Sequence, residues 1–407
     1  MGVEQLLPVG ASLDSVGGVP LRDIADRFGT PAYVVDEATL RHNARAYGEA
    51  FGRRHDAVDV HFASKAFPCS AVIGVFADEG LGCDVVGTGE LAIALAGGMP
   101  GHRILLHGNA KRDADLKAAL EAGVEYVVID GSDDVDRLER LADRPQPVLL
   151  RVNPEVEAET HEALATGHGG SKFGVGMEEA GRLIARLRGS RRLRLDGLHA
   201  HIGSQLLDLR PFEQAVEAVA ALGSFEVYDL GGGLGAAYLP DDEVPTVDAY
   251  AERLVGAVHR HLGREVKLIV EPGRSLVARA GLTVYTVVTV KRGARTFVAV
   301  DGGMGDNLEP MMYGVRFAPF VLGGGEPEVA DLVGPHCETG DVLVRDATLA
   351  RTRVGDLVVM PVTGAYCHSL ANNYNGALRP PVVLCGDAAA RVVVRRERLD
   401  DLLGRNR

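Results

Sequence analysis

Along the first two thirds of the chain, short apolar runs alternate with segments whose apolar residues recur three or four positions apart. The runs "VDVHFASKA", "LGCDVVG", "RILLHGN", "EYVVID", "PVLLRVN", "LDGLHAHIG", "FEVYDLGGG" and "KLIVEPGR" number eight. They are rich in Val, Ile and Leu and show little polar alternation, the pattern of parallel strands covered on both faces. Between them, "GELAIALAGG", "DADLKAALEAG", "DDVDRLERLAD", "EEAGRLIARLR", "PFEQAVEAVAALG" and "VDAYAERLVGAVHRHLG" read as amphipathic helices. In the last of these, Tyr250, Leu254, Val255 and Val258 share one face. Eight such units over roughly 230 residues predict a (β/α)8 barrel. An open doubly wound sheet is the competing arrangement, because a count of units does not prove closure.

After Arg274 the texture changes. "LTVYTVVTVKR", "TFVAVDGG", "PEVADLVGP", "DVLVRDATL", "DLVVMPVTGAY" and "RPPVVLCG" are strand-like and helical patterns become rare, which predicts a β-sandwich or β-barrel domain. The expected division is an α/β barrel over residues 32–278, with residues 1–31 and 279–407 forming the β-domain.

Composition narrows the function classes. The 407 residues carry a net charge of −13 without a basic run, so neither nucleic acid nor an anionic membrane is an expected partner. The start, "MGVEQLLPVGASLDSVGGVP", lacks a basic segment followed by an apolar core, and no signal peptide is expected. Gly2 after Met1 is not followed by the Ser or Thr of an acylation signal. No run of about 18 apolar residues predicts a membrane span. Cys69, Cys83, Cys337, Cys367 and Cys385 are odd in number and widely spaced, which argues against disulfides and a zinc site and for a reducing cytoplasm.

In a (β/α)8 barrel, chemistry collects where the C-terminal ends of the strands converge. Those ends carry Lys65, Asn109, Asn153, His201 to Ser204, Gly231 to Gly233, and Glu271 to Arg274. Each has an ordinary explanation by itself: a snorkelling lysine, a hydrogen-bonded core histidine, a Glu–Arg pair, a tight turn. Together, at one face, they form a site. "DLGGGLG" and "EPGRS" offer backbone N–H groups without a Cβ in the way, suited to a phosphate. "GGGLG" lacks the GxGxxG spacing and follows the seventh strand, which disfavours a dinucleotide. A phosphate cradle, an imidazole, a carboxylate and a lysine suit a cofactor with a phosphate, a flat ring and an aldehyde, as pyridoxal 5'-phosphate has.

The stretches "HFASKAF", "HGNAK", "HIGSQ", "DLGGGLG", "EPGRSLVARAG", "DGGMGDNLEPMMYG", "GPHCETGDVL" and "GAYCHSLANNYNG" resemble the motifs of fold-type III pyridoxal-phosphate decarboxylases. "HGNAK", "TGHGGSKFG" (Thr166 to Gly174) and "GPHCETGD" resemble the diaminopimelate decarboxylase branch, and the resemblance spans nearly the whole chain. It implies that Lys65 bonds to the cofactor aldehyde, that His201 stacks on the ring and that Glu271 pairs with the ring nitrogen. Ser204, Gly232, Gly233, Gly273, Arg274 and Tyr374 would hold the phosphate region. Cys337 would donate the proton that follows loss of carbon dioxide, and Arg274, Glu309, Tyr313, Glu338 and Tyr374 would meet the substrate. The resemblance further implies a homodimer in which Cys337 and Glu338 enter the partner's site. The implied reaction converts meso-2,6-diaminopimelate to L-lysine and carbon dioxide.

One position departs from the family pattern. Where the "DGGM" stretch usually leads to an Arg-Pro pair, this chain has Glu309-Pro310. A glutamate cannot fork onto a carboxylate as a guanidinium does. Arg316 could supply the missing charge, Glu309 could be a surface acid facing away, or the substrate could differ, as in a paralogous decarboxylase. A pyridoxal-phosphate racemase and a non-catalytic binding paralogue are the remaining alternatives. A racemase needs a second base and has no use for the Cys337–Glu338 pair, and a binding paralogue would be free to lose Lys65.

Overall fold

The structure, a computed structural model, describes residues 2–156 and 171–406. The chain divides into two compact units, Met1–Arg41 with Ala236–Glu243 and Leu276–Arg407, and His42–Gly235 with Val244–Ser275.

The second unit is the barrel. Its strands in chain order are Val58–Ala63, Gly82–Val86, Ile104–His107, Tyr126–Ile129, Gln146–Arg151, Leu193–His199, Val227–Asp229 and Lys267–Val270. Each matches one of the apolar runs, and every neighbouring pair is parallel. The last strand pairs with the first (Leu268↔Val58) as well as with Val227–Asp229, so the sheet closes and the open-sheet alternative falls away. Leu105, Tyr126, Val128, Leu149, Val227 and Ile269 form a buried cluster, a filled core rather than a pore. Gly197 sits inside a strand because a Cβ there would run into the carbonyl of Val227 on the neighbouring strand. The expected helices are present as Gly87–Ala96, Asp113–Ala122, Ser132–Leu141, Met177–Arg188, Arg210–Ala220 and Val247–His261.

The first unit is rich in β-structure. Gly281–Arg292 is its spine. Its first half pairs with Ala32–Asp36 and with Leu357–Pro361, and its second half with Thr296–Val300. A register shift between Val287 and Thr289 separates the two halves. Ala32–Asp36, where the sequence reading began the barrel, pairs antiparallel with Gly281–Arg292 and parallel with Val382–Gly386. It is part of this sheet and not of the barrel. The core of the unit packs Val34, Leu282, Val284, Leu357, Val359 and Val383 against Leu21 and Ile24 of the Leu21–Phe28 helix.

A buried carboxyl anchors the "DGGMGDN" turn in this unit. Asp306 Oδ2 accepts from the Tyr285 hydroxyl at 2.7 Å and Oδ1 from the Gly303 N–H at 2.7 Å. Burial pushes the Asp306 carboxyl up to about 7, against the pull of the Tyr285 hydrogen bond. The folded protein therefore binds this proton more tightly than the unfolded chain. Its contribution is full below about pH 4 and is lost as pH rises to about 7, at no more than about 1.4 kcal/mol per pH unit. Asp306→Asn keeps an acceptor for Gly303 and removes the titration. Urea midpoints are expected to fall between about pH 4 and 7 more steeply in wild type than in this variant; equal slopes would contradict the assignment.

Candidate active site

The barrel strands deliver polar residues to one cavity of about 380 Å³ lined by Lys65, Asp84, Glu90, His107, Asn109, Arg151, Lys172, Phe173, His199, His201 and Glu271 among others. Lys65 follows directly on the first strand, in the short turn Ser64–Ala66, and is exposed. Glu271 follows on the last strand and is buried. A larger cleft of about 610 Å³ lies between Pro154–Val156 and the start of the Arg210–Ala220 helix, but among the described residues its lining holds no lysine, histidine or cysteine. Lysine and histidine side chains gather in the smaller cavity.

Four of the expected strand-end residues, Lys65, Asn109, His201 and Glu271, meet there. His201 Nδ1 accepts the Gly232 N–H at 3.2 Å. Gly231 and Gly233 have φ of 62° and 131°, which only glycine adopts without strain. A Cβ on Gly232 would collide with the Glu271 carbonyl, so this run must stay glycine to pass between the two strand ends. Gly273 packs against Ala63 and Ala66 on either side of Lys65. Arg274 is buried, its Nε 3.4 Å from Ser204 Oγ.

Other lining residues were not singled out from the sequence. Arg151 stands over the Phe173 ring at 4.6 Å, with Lys172 4.9 Å from the same ring. Asp84 Oδ1 accepts the Ser64 N–H at 3.0 Å, beside Lys65. His107 and His199 both approach Glu271. A signal existed for His199: it lies two residues before His201 on a strand end, so pleat alternation puts both on one side. Lys111, from the "HGNAK" stretch, is buried and held by Asp134 at 2.7 Å and the Gly108 carbonyl at 2.6 Å, which fixes the loop bearing Asn109. Of the "TGHGGSKFG" stretch, residues 166–170 lie outside the described residues.

The electrostatics follow from burial. Burial pushes the Glu271 carboxyl up, but the adjoining His107 and His199 outweigh it and hold it well below its usual range. Burial and then the Lys65 and Arg151 charges hold His201 well below the usual imidazole range. His199 is pushed down to about 3 by burial, against the pull of Glu271. Asp84 goes well up, through burial and then the Glu271 charge. The cavity floor thus sets an anionic Glu271 beside His199 and His201, whose imidazoles burial keeps neutral.

The remaining expected residues belong to the β-rich unit. Cys337 and Glu338 are exposed in the loop Gly334–Asp341, which is built around Asp341. The Asp341 carboxylate accepts the His336 and Met304 N–H groups, each at 2.7 Å. The Cys337 N–H donates to Asn375 Oδ1 at 2.9 Å, and the Tyr374 hydroxyl lies 3.5 Å from Glu338. Tyr313 ends the short helix Glu309–Tyr313. Glu309 is fully buried, 3.4 Å from the Tyr238 hydroxyl, which removes the surface-acid reading. Arg316 is exposed, beside Val344, Arg345 and Asp346.

A lysine, an imidazole, an anionic carboxylate and a glycine run with no room for a Cβ fit pyridoxal 5'-phosphate. Comparison with known proteins agrees. The family model for the pyridoxal binding domain of pyridoxal-dependent decarboxylases matches residues 37–278. A diaminopimelate decarboxylase of Actinosynnema pretiosum is 48% identical, over 98% of this chain and 95% of its own. That of Bacillus subtilis is 39% identical over 95% and 94%. The structure of Helicobacter pylori diaminopimelate decarboxylase complexed with L-lysine superposes with a TM-score of 0.90 at 31% identity, covering 94% of this chain and 98% of that one. The chain belongs to the diaminopimelate decarboxylase family of pyridoxal-dependent enzymes. The family's cofactor is accordingly pyridoxal phosphate, and the activity class is that of a carbon–carbon lyase.

The glycine run is the feature of this family member most exposed to a single change. Gly232→Ala is expected to keep native circular dichroism while weakening retention of the cofactor by about tenfold or more, since the added Cβ forces apart the strand ends that must receive it. Wild-type retention after dialysis would contradict this.

Proposed function

We propose that this protein decarboxylates meso-2,6-diaminopimelate to L-lysine and carbon dioxide, with pyridoxal phosphate seated in the barrel mouth. The observation that carries the reading is the opening of Lys65 and the anionic Glu271 into one cavity with His201. When bound, the cofactor supplies a covalent link to the substrate amine and a sink for the electron pair left by carbon dioxide.

The chain's own residues do the rest. Lys65 would hold the cofactor through its aldehyde. Glu271, as an anion, holds a proton on the ring nitrogen, which strengthens the pull on those electrons. His201, neutral and with Nδ1 engaged by Gly232, offers a flat uncharged surface to the ring. Gly232, Gly233, Gly273, Ser204 and Arg274 receive the phosphate, with Tyr374 reaching toward it. Arg274, Tyr313, Glu338 and Tyr374 meet the substrate, and Cys337 returns the proton to the α-carbon. The exposure of Cys337, Glu338 and Tyr374 supports a homodimer in which this unit completes the barrel mouth of the second copy. Five unbonded cysteines support a reducing cytoplasm, and no helix among the described residues is long and apolar enough to cross a membrane.

The enclosure of Glu309 beside Tyr238 supports a part in holding that segment rather than a direct substrate contact, and so favours diaminopimelate over a substrate with a cationic far end.

The test is carbon dioxide release from cofactor-loaded protein offered meso-diaminopimelate, the D- and L-forms of lysine and ornithine, and glutamate. Turnover of meso-diaminopimelate with stoichiometric L-lysine is expected. Bound cofactor with release only from another of these would make Glu309 the mark of a different specificity. Cys337→Ala is expected to retain cofactor and to lose roughly 10²–10⁴-fold in kcat, the usual worth of a positioned acid. Near-normal turnover would remove Cys337 from the reaction.

A further inference from the structure

The floor of the cavity holds more ionisable groups than its proposed chemistry uses. Around Glu271 lie His107, His199 and Asp229, all buried, with ligand atoms within 4.8 Å of one another. Asp84 faces the same charge, as does the Arg151 guanidinium, and Lys65 lines the same cavity. Three carboxyls close together in a nearly dry floor cannot all be ionised, so something must select the one that is.

The geometry makes the selection. His107 Nε2 is 2.7 Å from Glu271 Oε1, inside the range of a charge-assisted hydrogen bond, while His199 Nε2 is 3.4 Å from Oε2. The shorter contact does not meet hydrogen-bond alignment, so His107 acts on Glu271 here through proximity at 2.7 Å, and His199 through the aligned contact at 3.4 Å. The two rings meet edge to face, centroids 4.9 Å apart, so each limits the other's rotation. Asp229 has no imidazole donor of its own among the described residues. Its Oδ1 takes the Gly231 N–H at 2.9 Å, and burial followed by the Glu271 charge pushes its carboxyl well up. The third and sixth strands thus supply the donors that the carboxylate on the eighth requires.

We propose that His107, reinforced by His199, is a positioning residue acting through Glu271: its N–H fixes the orientation and the charge of the carboxylate facing the cofactor's ring nitrogen, so that the nitrogen keeps its proton. The proposal rests on the cofactor site argued above. His107 touches neither substrate nor cofactor in it.

The test uses full-length protein loaded with pyridoxal phosphate carrying ¹⁵N in the ring, and reads the nitrogen chemical shift, which separates protonated from bare ring nitrogen without any turnover. Wild type, His107→Leu, His107→Gln and Glu271→Gln are compared. The leucine variant is expected to move the ring signal toward that of Glu271→Gln. Its kcat is expected to drop about tenfold or more, with KM within about twofold. Glutamine, which restores an N–H in reach of Oε1, is expected to return the signal to the wild-type position. Should the leucine variant not fold, His107→Asn, polar but too short to reach Oε1, replaces it with the same expectation. A wild-type shift in the leucine or asparagine variant overturns the proposal and leaves the cofactor site standing. Wild-type protein that takes up no labelled cofactor overturns both.

Discussion

Holding one ionised carboxylate in a floor almost closed to water is the demand to which the rest of the barrel mouth answers. Removing a carboxylate from water costs several kcal/mol unless donors replace the lost solvent. At Glu271 the groups that close in are imidazoles from two other strands, and local sequence cannot bring residues 107, 199 and 271 together. Only a ring can. The pairing of Lys267–Val270 with Val58–Ala63 closes that ring and sets Lys65 and Glu271 at the ends of adjacent strands. The same closure explains why the run around Gly232 must be glycine, since it threads between the His201 and Glu271 segments.

The β-rich unit applies a similar logic to its loops. Asp341 gathers the N–H groups of His336 and Met304, and Asp306 those of Gly303 and the Tyr285 hydroxyl. Buried acceptors tie down two loops whose ends would otherwise carry unmet donors. Cys337 and Glu338 are presented from one of them. An exposed thiol on a loop pinned at its base is well suited to serve a site completed by a second copy, as proposed for this family member.

Much of this was legible in the sequence because parallel strands buried on both faces leave continuous apolar runs, and all eight were found this way. Lys65, His201 and Glu271 were legible because strand ends are where such barrels do chemistry. His107, Arg151 and Asp84 were not. A run without polar alternation carries no mark of which residues point into the mouth, and their meaning appears only when distant strands close around them. Ala32–Asp36 fell inside the expected barrel range because the boundary was placed at residue 32, although it is none of the eight barrel runs; its partners, Gly281–Arg292 and Val382–Gly386, lie hundreds of residues away. Glu309 was read as either a surface or a substrate-facing acid, and its enclosure beside Tyr238 could not be anticipated from neighbours in sequence.

The central claim is that Lys65, and no other lysine in the cavity, carries the cofactor. Lys172 lines the same cavity and is the natural competitor. Reducing the cofactor-loaded protein with borohydride, digesting it and mapping the pyridoxyl group by mass spectrometry decides between them. The account predicts a single modified peptide containing Lys65; modification at Lys172 with Lys65 unmodified would contradict it.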